Sequence, residues 1–449
     1  MKVCKFGGTS LASAEQIKKV CEIVTSDSDR QLVVVSAPGK RSKDDIKVTD
    51  LLISCAEKYI KTGAAVDEMK AVVARFDDIA RELGLDGTIT EVIAADIKSR
   101  LSGPVTHEGK LMDSLKAAGE DNSAKLFAAY LKSKGFEAQY INPKDAGLFL
   151  SDEFGNARVL SESFENLKSL NDIPGIKIFP GFFGYSKHGD VVTFPRGGSD
   201  ITGSIIAAAI GAEVYENFTD VDSVFAANPN IVPGAKAIKE FSYREMRELS
   251  YAGFSVLHEE TLEPVYRKGI PVCIKNTNNP KARGTMIVKE RTSDNGIIAG
   301  IAGDIGFSIL YISKYMMNRE VGFGRKVLQI LEEQGLSYEH VPSGIDNMSV
   351  VLRSKELSDE KEKNVINRIR QELVVDDIEI VPNLALVMVV GEGMRHTVGL
   401  SARATNALSK EKVNIEMINQ GSSEVSMMFG VRASDCETAI KALYKEFFS

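Results

Sequence analysis

The sequence predicts an α/β protein: an open, mainly parallel sheet with helices on both faces, followed by two small α+β units. Three observations support this prediction. The N-terminal region alternates short β-branched runs with helical patterns and small-residue loops, as βαβ units do. The C-terminal third repeats a strand–helix–strand pattern. The chain of 449 residues also exceeds what one hydrophobic core usually organises.

The first elements have the pattern of a βαβ unit. A short apolar strand is predicted at residues 3–6, and the glycine loop "FGGTS" follows it. Apolar residues then recur at helical spacing, with Ser10 or Ser13 as the N-cap. The run "QLVVVSAPGK" at residues 31–40 predicts a second strand that ends in another small-residue loop. A right-handed crossover would join the two strands.

The middle of the chain is predicted to be mostly helical before it returns to the sheet. Helical patterns dominate residues 49–101 and 122–134. A glycine-punctuated stretch follows Lys177, and its last part, residues 201–210, predicts a helix of small residues that can pack tightly on a sheet. We therefore expect one large α/β domain over residues 1–290.

The C-terminal third contains an internal repeat. "VGFGRKVLQILEEQGLSYEHVPSG" begins at Val321 and "VGLSARATNALSKEKVNIEMINQG" begins at Val398, an offset of 77 residues. A β-rich segment precedes and another follows each copy. The pattern predicts two tandem β-α-β-β units, over residues 300–378 and 379–449.

Composition and charge exclude several classes of function. The formal net charge is −7 without a long basic run, which argues against nucleic acid or an anionic membrane as the main partner. The five cysteines are scattered and lack a C-x-x-C, so neither a disulfide framework nor a zinc site is expected. No apolar stretch reaches about 18 residues, and the N-terminus lacks a signal peptide pattern. We expect a cytoplasmic protein.

Several glycine-rich loops precede predicted helices, where they could bind phosphate. Glycine allows backbone N–H groups to approach phosphate oxygens, and a helix N-terminus favours an anion. "FGGTS" (residues 6–10) and "RGGSD" (residues 196–200) have this setting, and "SAPGK" and "TDVDSVFAANP" (residues 219–229) add polar loops. Neither a Walker A loop nor G-x-G-x-x-G is present. Each loop taken alone could equally be a structural turn, with Asp200 as a helix cap.

Taken together, these motifs resemble one family. "KFGGTS", "VVVSAPG", "AGE", "RGGSD", "TDVD" and "KNT", in this order, are similar to the aspartokinases of the amino-acid kinase family. The C-terminal units resemble that family's ACT regulatory domains, and the monofunctional, lysine-sensitive type is most similar. The resemblance implies the amino-acid kinase fold and the reaction of ATP with L-aspartate to 4-phospho-L-aspartate and ADP. This reaction starts lysine, threonine and methionine biosynthesis, and ATP and Mg²⁺ are its implied cofactors.

The resemblance also implies roles for individual residues, carried over by matched motif. Lys5 and Asp200 would form the reacting centre, with no residue assigned as a metal ligand. The implied ATP contacts are Lys5, Gly7, Gly8, Ser36, Thr219, Asp220 and Phe225. The implied aspartate contacts are Thr49, Glu120, Phe182, Arg196, Gly197, Gly198 and Ser199. Phosphoryl transfer chiefly requires alignment and charge stabilisation, which glycine N–H groups and a lysine can provide.

Three positions depart from the family pattern. Ser255 stands where many aspartokinases have a lysine that reaches the nucleotide, Asn230 replaces an arginine, and Phe218 replaces a tryptophan. Losing two cations could weaken ATP binding. Two alternatives to aspartate kinase activity therefore stay open: an amino-acid-binding regulator without turnover, and a kinase for another acceptor such as glutamate, carbamate or a nucleoside monophosphate.

The first ACT-like unit contains the predicted effector site. In the family such units pair across a subunit interface and bind an end-product amino acid, so a homodimer or a dimer of dimers is implied. A glycine loop before a helix suits an effector carboxylate, and Glu339 suits its ammonium. The predicted effector residues are Met317, Gly322, Phe323, Gly324, Ser337, Tyr338 and Glu339. Lysine is the expected inhibitor and threonine the alternative.

Overall fold

The computed structural model describes residues 1–195, 197–254, 257, 259–291, 296–395, 397–421 and 425–449. The chain divides into two compact units. The first consists of Met1–Val224, Ile238–Arg247 and Ser255–Thr292, and the second of Phe225–Ala237, Glu248–Phe254 and Ser293–Ser449. Among the described residues, no helix has the length and apolar character needed to cross a membrane.

The first unit is built on an eight-stranded, mainly parallel sheet. Its strand order is β3-β4-β2-β1-β7-β9-β10-β8, with only the β9–β10 pair antiparallel, and β5 and β6 form a separate hairpin. The strands are β1 (Val3–Phe6), β2 (Leu32–Val35), β3 (Ala138–Tyr140), β4 (Ile176–Pro180), β5 (Phe183–Tyr185), β6 (Val191–Thr193), β7 (Tyr215–Thr219), β8 (Glu240–Ser242), β9 (Val272–Asn276) and β10 (Thr285–Val288).

Helices cover this sheet, and the first begins at one of the two predicted caps. The Ser13 side chain accepts the Gln16 N–H at 3.4 Å, so Ser13, not Ser10, is the N-cap. The helices are α1 (Ala14–Thr25), α2 (Val48–Thr62), α3 (Val66–Glu82), α4 (Thr88–Arg100), α5 (Glu108–Ser133), α6 (Glu162–Asn166), α7 (Gly198–Ile210), α8 (Tyr243–Tyr251) and α9 (Glu263–Lys268). Helix α8 begins in the first unit and ends in the second.

Strand β1 shows how the two faces of the sheet are used. Cys4 and Phe6 point to one face, where they join the core formed with α1 to α5. Side chains alternate along a strand, so Lys5 points to the opposite face, toward α7. The single charged residue of β1 is therefore placed beneath the N-terminal turn of α7.

The second unit contains one five-stranded antiparallel sheet shared by both sequence repeats. Its order is β12-β11-β13-β15-β14. The strands are β11 (Gly300–Ser313), β12 (Asn347–Arg353), β13 (Asp377–Val390), β14 (Met417–Asn419) and β15 (Ser426–Arg432), and the helices are α10 (Phe323–Glu333), α11 (Asp359–Leu373), α12 (Leu400–Lys410) and α13 (Cys436–Phe448). Each repeat therefore has the predicted strand–helix–strand order, and a further helix ends it.

The two cores of this unit interleave along the chain. Ile298, just before β11, and Ile301, at its start, pack with the second repeat. Ile378, at the start of β13, packs with the first repeat. Between these halves β11 has a register shift next to Gly306, whose φ of +90° favours glycine. The boundaries 300–378 and 379–449, and the limit at residue 290, stay predictions.

Candidate active site

The centre of the candidate site is a buried ion pair between β1 and α7. Lys5 is 7 % exposed, and its Nζ lies 2.5 Å from Asp200 Oδ1. The same carboxylate oxygen accepts a hydrogen bond from Asn217 Nδ2 on β7 at 2.8 Å. Because three separate elements converge on one oxygen, the position of the lysine ammonium is fixed.

The glycine loop after β1 requires glycine because two backbones meet there. A Cβ on Gly8 would lie 2.9 Å from the Ala37 carbonyl oxygen, and a Cβ on Gly39 would lie 2.7 Å from the Gly8 carbonyl carbon. The Gly39 N–H donates to the Gly8 carbonyl at 2.8 Å. The loops "FGGTS" and "SAPGK" are therefore held against each other, and neither can accept a side chain at these positions without moving.

The predicted nucleotide contacts follow three neighbouring parallel strands. The Gly7 N–H donates to the Phe218 carbonyl on β7, and the Ser36 N–H donates to the Phe6 carbonyl on β1, both at 3.2 Å. Thr219 ends β7, and its hydroxyl donates to Asp220 at 3.2 Å. These groups lie together at the carboxyl edge of the sheet, where open α/β folds bind ligands.

The last part of the "TDVDSVFAANP" segment, residues 225–229, belongs to the second unit. Phe225, a predicted ATP contact, lies there, and its role stays a prediction. The Asn230 N–H donates to the Asn228 side chain at 3.0 Å, so this stretch forms a local Asx turn. Phe218 is buried and stacks on Phe6 at a ring distance of 4.7 Å, so it contributes to the core.

A cavity of about 670 Å³ contains most of the predicted aspartate contacts. Lys5, Ser36, Thr49, Glu120, Phe182, Gly197, Gly198, Ser199 and Asp200 all line it. Arg196 lies outside the described residues, as does Ser255. The described residues thus bring together the motifs "KFGGTS", "KVTDLL", "AGE" and "RGGSD", which are far apart in the chain.

Glu120 is the most perturbed acid of this cavity. It lies on α5, is 6 % exposed, and its Oε2 is buried without a hydrogen-bond partner among the described residues. Burial raises the pKa of Glu120 to about 8, although the Ala37 N–H and the charge of Lys5 act in the opposite direction. A buried carboxyl group with an unpartnered oxygen is suited to receive a cationic ligand group.

Two backbone features shape the cavity wall beside α7. Phe182 has a φ of +75°, which is unusual for a bulky residue. Its N–H donates to the Thr202 hydroxyl at 3.0 Å, and its carbonyl accepts the Phe194 N–H at 2.9 Å. Gly197 precedes α7 in the left-handed region, and a Cβ on Gly198 would lie 2.6 Å from the Phe182 ring. The N-terminus of α7 therefore lines the cavity, where its dipole favours an anion.

Two lysines of this cavity were missed by the sequence reasoning. Lys47 directly precedes α2, and Lys116 lies on α5; both line the cavity. The sequence contained a signal for each, since Lys47 is two residues before Thr49 and Lys116 is four residues before Glu120. One turn of helix places residues i and i+4 on the same face.

The structure gives Mg²⁺ no dedicated protein cage within the described residues. These residues contain no cluster of three or more His, Cys, Asp or Glu side chains able to hold a metal. Magnesium usually keeps several waters and reaches such sites through substrate phosphates with one or two carboxylates. The donor set therefore fits a magnesium ion held mainly by a nucleotide.

The predicted effector residues fall into two groups in the second unit. Gly322 is the N-cap of α10, with Met317 and Phe323 buried close to it in the chain and Gly324 in the first turn. Ser337, Tyr338 and Glu339 follow the other end of α10, a helix of 11 residues. At 1.5 Å per residue the helix separates the two groups by about 16 Å.

Glu339 already has protein partners. Arg353 Nε donates to Glu339 Oε1 at 2.9 Å, and the Tyr251 hydroxyl donates to Oε2. Arg353 also donates to Asp304 at 2.6 Å, and its guanidinium lies 4.1 Å from the centre of the Phe307 ring. Any ligand ammonium at Glu339 has to compete with these two donors.

Comparisons with known proteins give the family and the relatives of the chain. Residues 1–276 match the amino acid kinase family, and residues 387–447 match the ACT domain. The chain is 59 % identical to aspartokinase 3 of Bacillus subtilis over 449 residues, which covers 100 % of this chain and 99 % of that protein. It is 27 % identical to the lysine-sensitive aspartokinase 3 of Escherichia coli over 99 % of both chains.

Solved structures of aspartate kinases also match the chain over its whole length. Aspartate kinase of Clostridium acetobutylicum matches with a TM-score of 0.88 at 42 % identity, and 100 % of both chains is covered. Two structures of E. coli aspartokinase III match at 26 % identity over 100 % of both chains. Its complex with aspartate and ADP gives a TM-score of 0.82, and its complex with lysine and aspartate gives 0.78.

The fold and the family match define the class of protein, an amino acid kinase with ACT regulatory domains. Within this class, the chain belongs to the aspartokinases. The predicted fold class and family are thereby confirmed.

Proposed function

We propose that the chain transfers the γ-phosphoryl group of ATP to the side-chain carboxylate of L-aspartate. The observation that carries this proposal is the cavity in which the Lys5–Asp200 ion pair, Glu120 and the N-terminus of α7 meet. It offers a fixed cation and N–H groups for anions, and a buried acid for the α-ammonium. A crystal complex of the related E. coli enzyme with aspartate and ADP supports the choice of substrates.

Lys5 is the proposed catalytic cation. Its ammonium is held at 2.5 Å from Asp200, so it is oriented before the substrate arrives. A preoriented cation in a buried site stabilises the negative charge that develops on the transferring group. Asp200 acts as the positioning partner, and the attacking carboxylate is already ionised, so that no general base is required.

The two substrates take opposite sides of this centre. The nucleotide phosphates are proposed to lie against Gly7, Gly8 and Ser36, with Thr219, Asp220 and Phe225 toward the nucleoside. When bound, magnesium would be held mainly by these phosphates and would shield their charge. The amino acid is proposed to lie in the cavity against Thr49, Phe182 and residues 197–199, with its α-ammonium on Glu120 and a carboxylate on Arg196.

The test of this proposal is a release assay for ADP with purified protein. ADP release should require L-aspartate, and glutamate or no acceptor should give only background. Release without any acceptor dependence would contradict the proposed function. Release that is faster with glutamate would contradict the assignment of the acceptor.

We further propose that lysine inhibits the enzyme through the first ACT-like repeat. The lysine complex of E. coli aspartokinase III supports the choice of effector, with threonine as the alternative. Lysine bound at Glu339 would displace Arg353 or Tyr251, and Tyr251 is the last residue of α8. Inhibition requires a differential affinity between active and inactive states of typically 1–3 kcal/mol.

A lysine titration with two matched variants tests this second proposal. Glu416 is the equivalent acid of the second repeat, and Arg432 lies 3.6 Å from it. At subsaturating aspartate, Glu339→Ala should lose lysine inhibition, whereas Glu416→Ala should keep it. Equal inhibition of both variants, or full activity of the wild type in millimolar lysine, would remove the proposed pocket. Threonine in place of lysine distinguishes the two effectors.

A homodimer, or a dimer of dimers, is the proposed assembly, in the cytoplasm. Val321 and Val398 occupy equivalent positions before α10 and α12, and they are 96 % and 97 % exposed. Two equivalent apolar side chains at the surface support an interface at these loops. Sedimentation velocity should give at least a dimer for the wild type and a smaller species for Val321→Asp. A monomeric wild type would contradict this assembly.

A further inference from the structure

A buried arginine joins the two small-residue loops against which the nucleotide phosphates are proposed to lie. Arg75 is on α3 and is 4 % exposed. Its Nη2 donates to the Ala12 carbonyl at 3.2 Å and to the Gly39 carbonyl at 2.8 Å. The same nitrogen lies 2.9 Å from Asp45 Oδ2. Ala12 follows the turn Gly8–Leu11 after β1, whereas Gly39 and Asp45 lie between β2 and α2. One nitrogen atom therefore bridges both loops.

Helix α3 gives this guanidinium a fixed position. Val72, Phe76 and Ile79, on either side of Arg75 in the helix, belong to the hydrophobic core. The Nε and Nη1 atoms of Arg75 are buried and have no hydrogen-bond partner among the described residues. Its polar contacts within that part of the chain are thus the two loop carbonyls and Asp45. Because a buried charge is costly unless it is paired, Arg75 and the two loops hold each other in one arrangement.

The contact with Gly39 extends to the loop after β1. The Gly39 N–H donates to the Gly8 carbonyl at 2.8 Å, while the Gly39 carbonyl accepts from Arg75. Both backbone polar groups of Gly39 are therefore engaged. Gly8 begins the turn that leads to Ala12, which Arg75 also holds. These contacts form a closed ring, and Gly8 cannot shift relative to Gly39 without breaking one of them.

We infer that Arg75 is a positioning residue for the nucleotide phosphates, because it holds the loops after β1 and β2 in the arrangement that binds them. This inference rests on the proposed function, which places the phosphates against Gly7, Gly8 and Ser36. A hydrogen bond to a charged group favours the bonded arrangement by about tenfold or more. When the binding arrangement is populated only in part, the apparent affinity falls by that fraction. Aspartate is proposed to lie on the other side of Lys5, so its binding should not depend on Arg75.

The experiment is a calorimetric titration of the purified full-length protein with ATP in the presence of Mg²⁺. Arg75→Met should raise the Kd for ATP about tenfold, while KM for aspartate at saturating ATP should change less than about threefold. Arg75→Lys keeps a cation near Asp45, but its side chain is one atom shorter and lacks the guanidinium fork, so it should restore only part of the affinity. Asp45→Ala removes the anion that pairs with Arg75, and it should also raise the Kd for ATP.

Arg100 provides the matched control. Its side chain is largely buried on α4, donates to the Ser114 carbonyl at 2.7 Å and pairs with Asp96 at 2.9 Å. Arg100 therefore has the same kinds of partner as Arg75, a carbonyl and a carboxylate, but it contacts neither of the two loops. Arg100→Met should lower the free energy of unfolding in urea, as Arg75→Met should, and it should leave the Kd for ATP unchanged.

The outcomes separate a positioning role from a purely structural one. A folded Arg75→Met that binds ATP as tightly as the wild type would overturn the inference. Equal losses of ATP and aspartate binding in Arg75→Met, or an equally weakened ATP affinity in Arg100→Met, would overturn it as well. If Arg75→Met does not fold, Arg75→Lys and Asp45→Ala decide by the same Kd, and wild-type affinity in both would refute the role. A wild type that binds ATP but does not phosphorylate aspartate would overturn the proposed function, and the Kd values would still test Arg75.

Discussion

Replacing Lys5 by methionine should affect catalysis and stability in separable ways. Removing one preorganised donor from a charge-stabilising site lowers kcat by about 10²–10³-fold, or about 2.7–4 kcal/mol of transition-state stabilisation. Lys5 and Asp200 have side chains only 9 % and 15 % exposed, so the variant also leaves a carboxylate without its cation. Breaking such a buried pair costs about 3 kcal/mol of the free energy of unfolding.

A double variant distinguishes loss of the cation from general damage. In Lys5→Met/Asp200→Asn the remaining neutral amide no longer needs a counter-ion, so part of the lost stability should return while kcat stays low. Urea unfolding and steady-state kinetics on the same preparations provide both quantities.

The matched control is a lysine buried elsewhere in the same sheet. Lys177 is 1 % exposed on β4, and its Nζ donates to the Ile173 carbonyl at 2.9 Å. Lys177→Met should lower stability and leave kcat unchanged. If Lys5→Met keeps kcat within about threefold of the wild type, or if Lys177→Met loses as much activity, the role given to Lys5 is wrong.

Three further predictions concern a titrating acid, a backbone contact and the thiols. Because the pKa of Glu120 is about 8 in the free site and only the ionised form pairs with an ammonium, KM for aspartate should fall by up to tenfold per unit from pH 6 toward pH 8. Glu120→Gln should flatten this profile, and an unchanged slope would contradict the assignment. The Glu120 contribution to stability is fully present below pH 4.5 and is lost as the pH rises through 8, so urea unfolding should show wild-type stability falling relative to Glu120→Gln over this window. Gly39→Ala should raise KM for ATP, because the new Cβ would press on the backbone of Gly8. The control is Gly87→Ala, whose Cβ would have no atom within 4 Å, and it should leave the kinetics unchanged. Equal effects of the two substitutions would argue against a phosphate-binding role of the loop that contains Gly39. All five cysteines are buried as free thiols, and burial raises the pKa of Cys55 and Cys273 to about 11, so a thiol reagent should label the native protein only slowly; rapid labelling would contradict their burial.

Local sequence signals predicted the framework of the site because they describe backbone geometry. A β-branched run followed by glycines and a helical pattern marks a strand, a tight loop and a helix N-terminus. "KFGGTS" and "RGGSD" were candidate phosphate loops on this pattern, whereas the roles of Lys5 and Asp200 came from the family resemblance. The structure brings these two residues to 2.5 Å of each other. The fold class followed from the same alternation of elements.

Other features depend on contacts between distant residues. The raised pKa of Glu120 arises from burial, which a single motif does not encode. The position of Lys116 in the cavity likewise depends on how α5 packs against the rest of the fold. Glu339 looked available for an effector, yet its partner Tyr251 is 88 residues away in the chain. The interleaving of the two regulatory cores could not be predicted either. A sequence repeat shows that two segments are similar, but it does not show which strand ends pack together.

The most direct test of the central claim is to trap and identify the product with hydroxylamine. An acyl phosphate on the aspartate side chain reacts with hydroxylamine to give β-aspartyl hydroxamate. The predicted result is this hydroxamate, formed only when ATP and L-aspartate are both present, and reduced about 10²-fold or more in Lys5→Met. Formation of the α-hydroxamate, an equal yield from glutamate, or an undiminished yield from Lys5→Met would contradict the account.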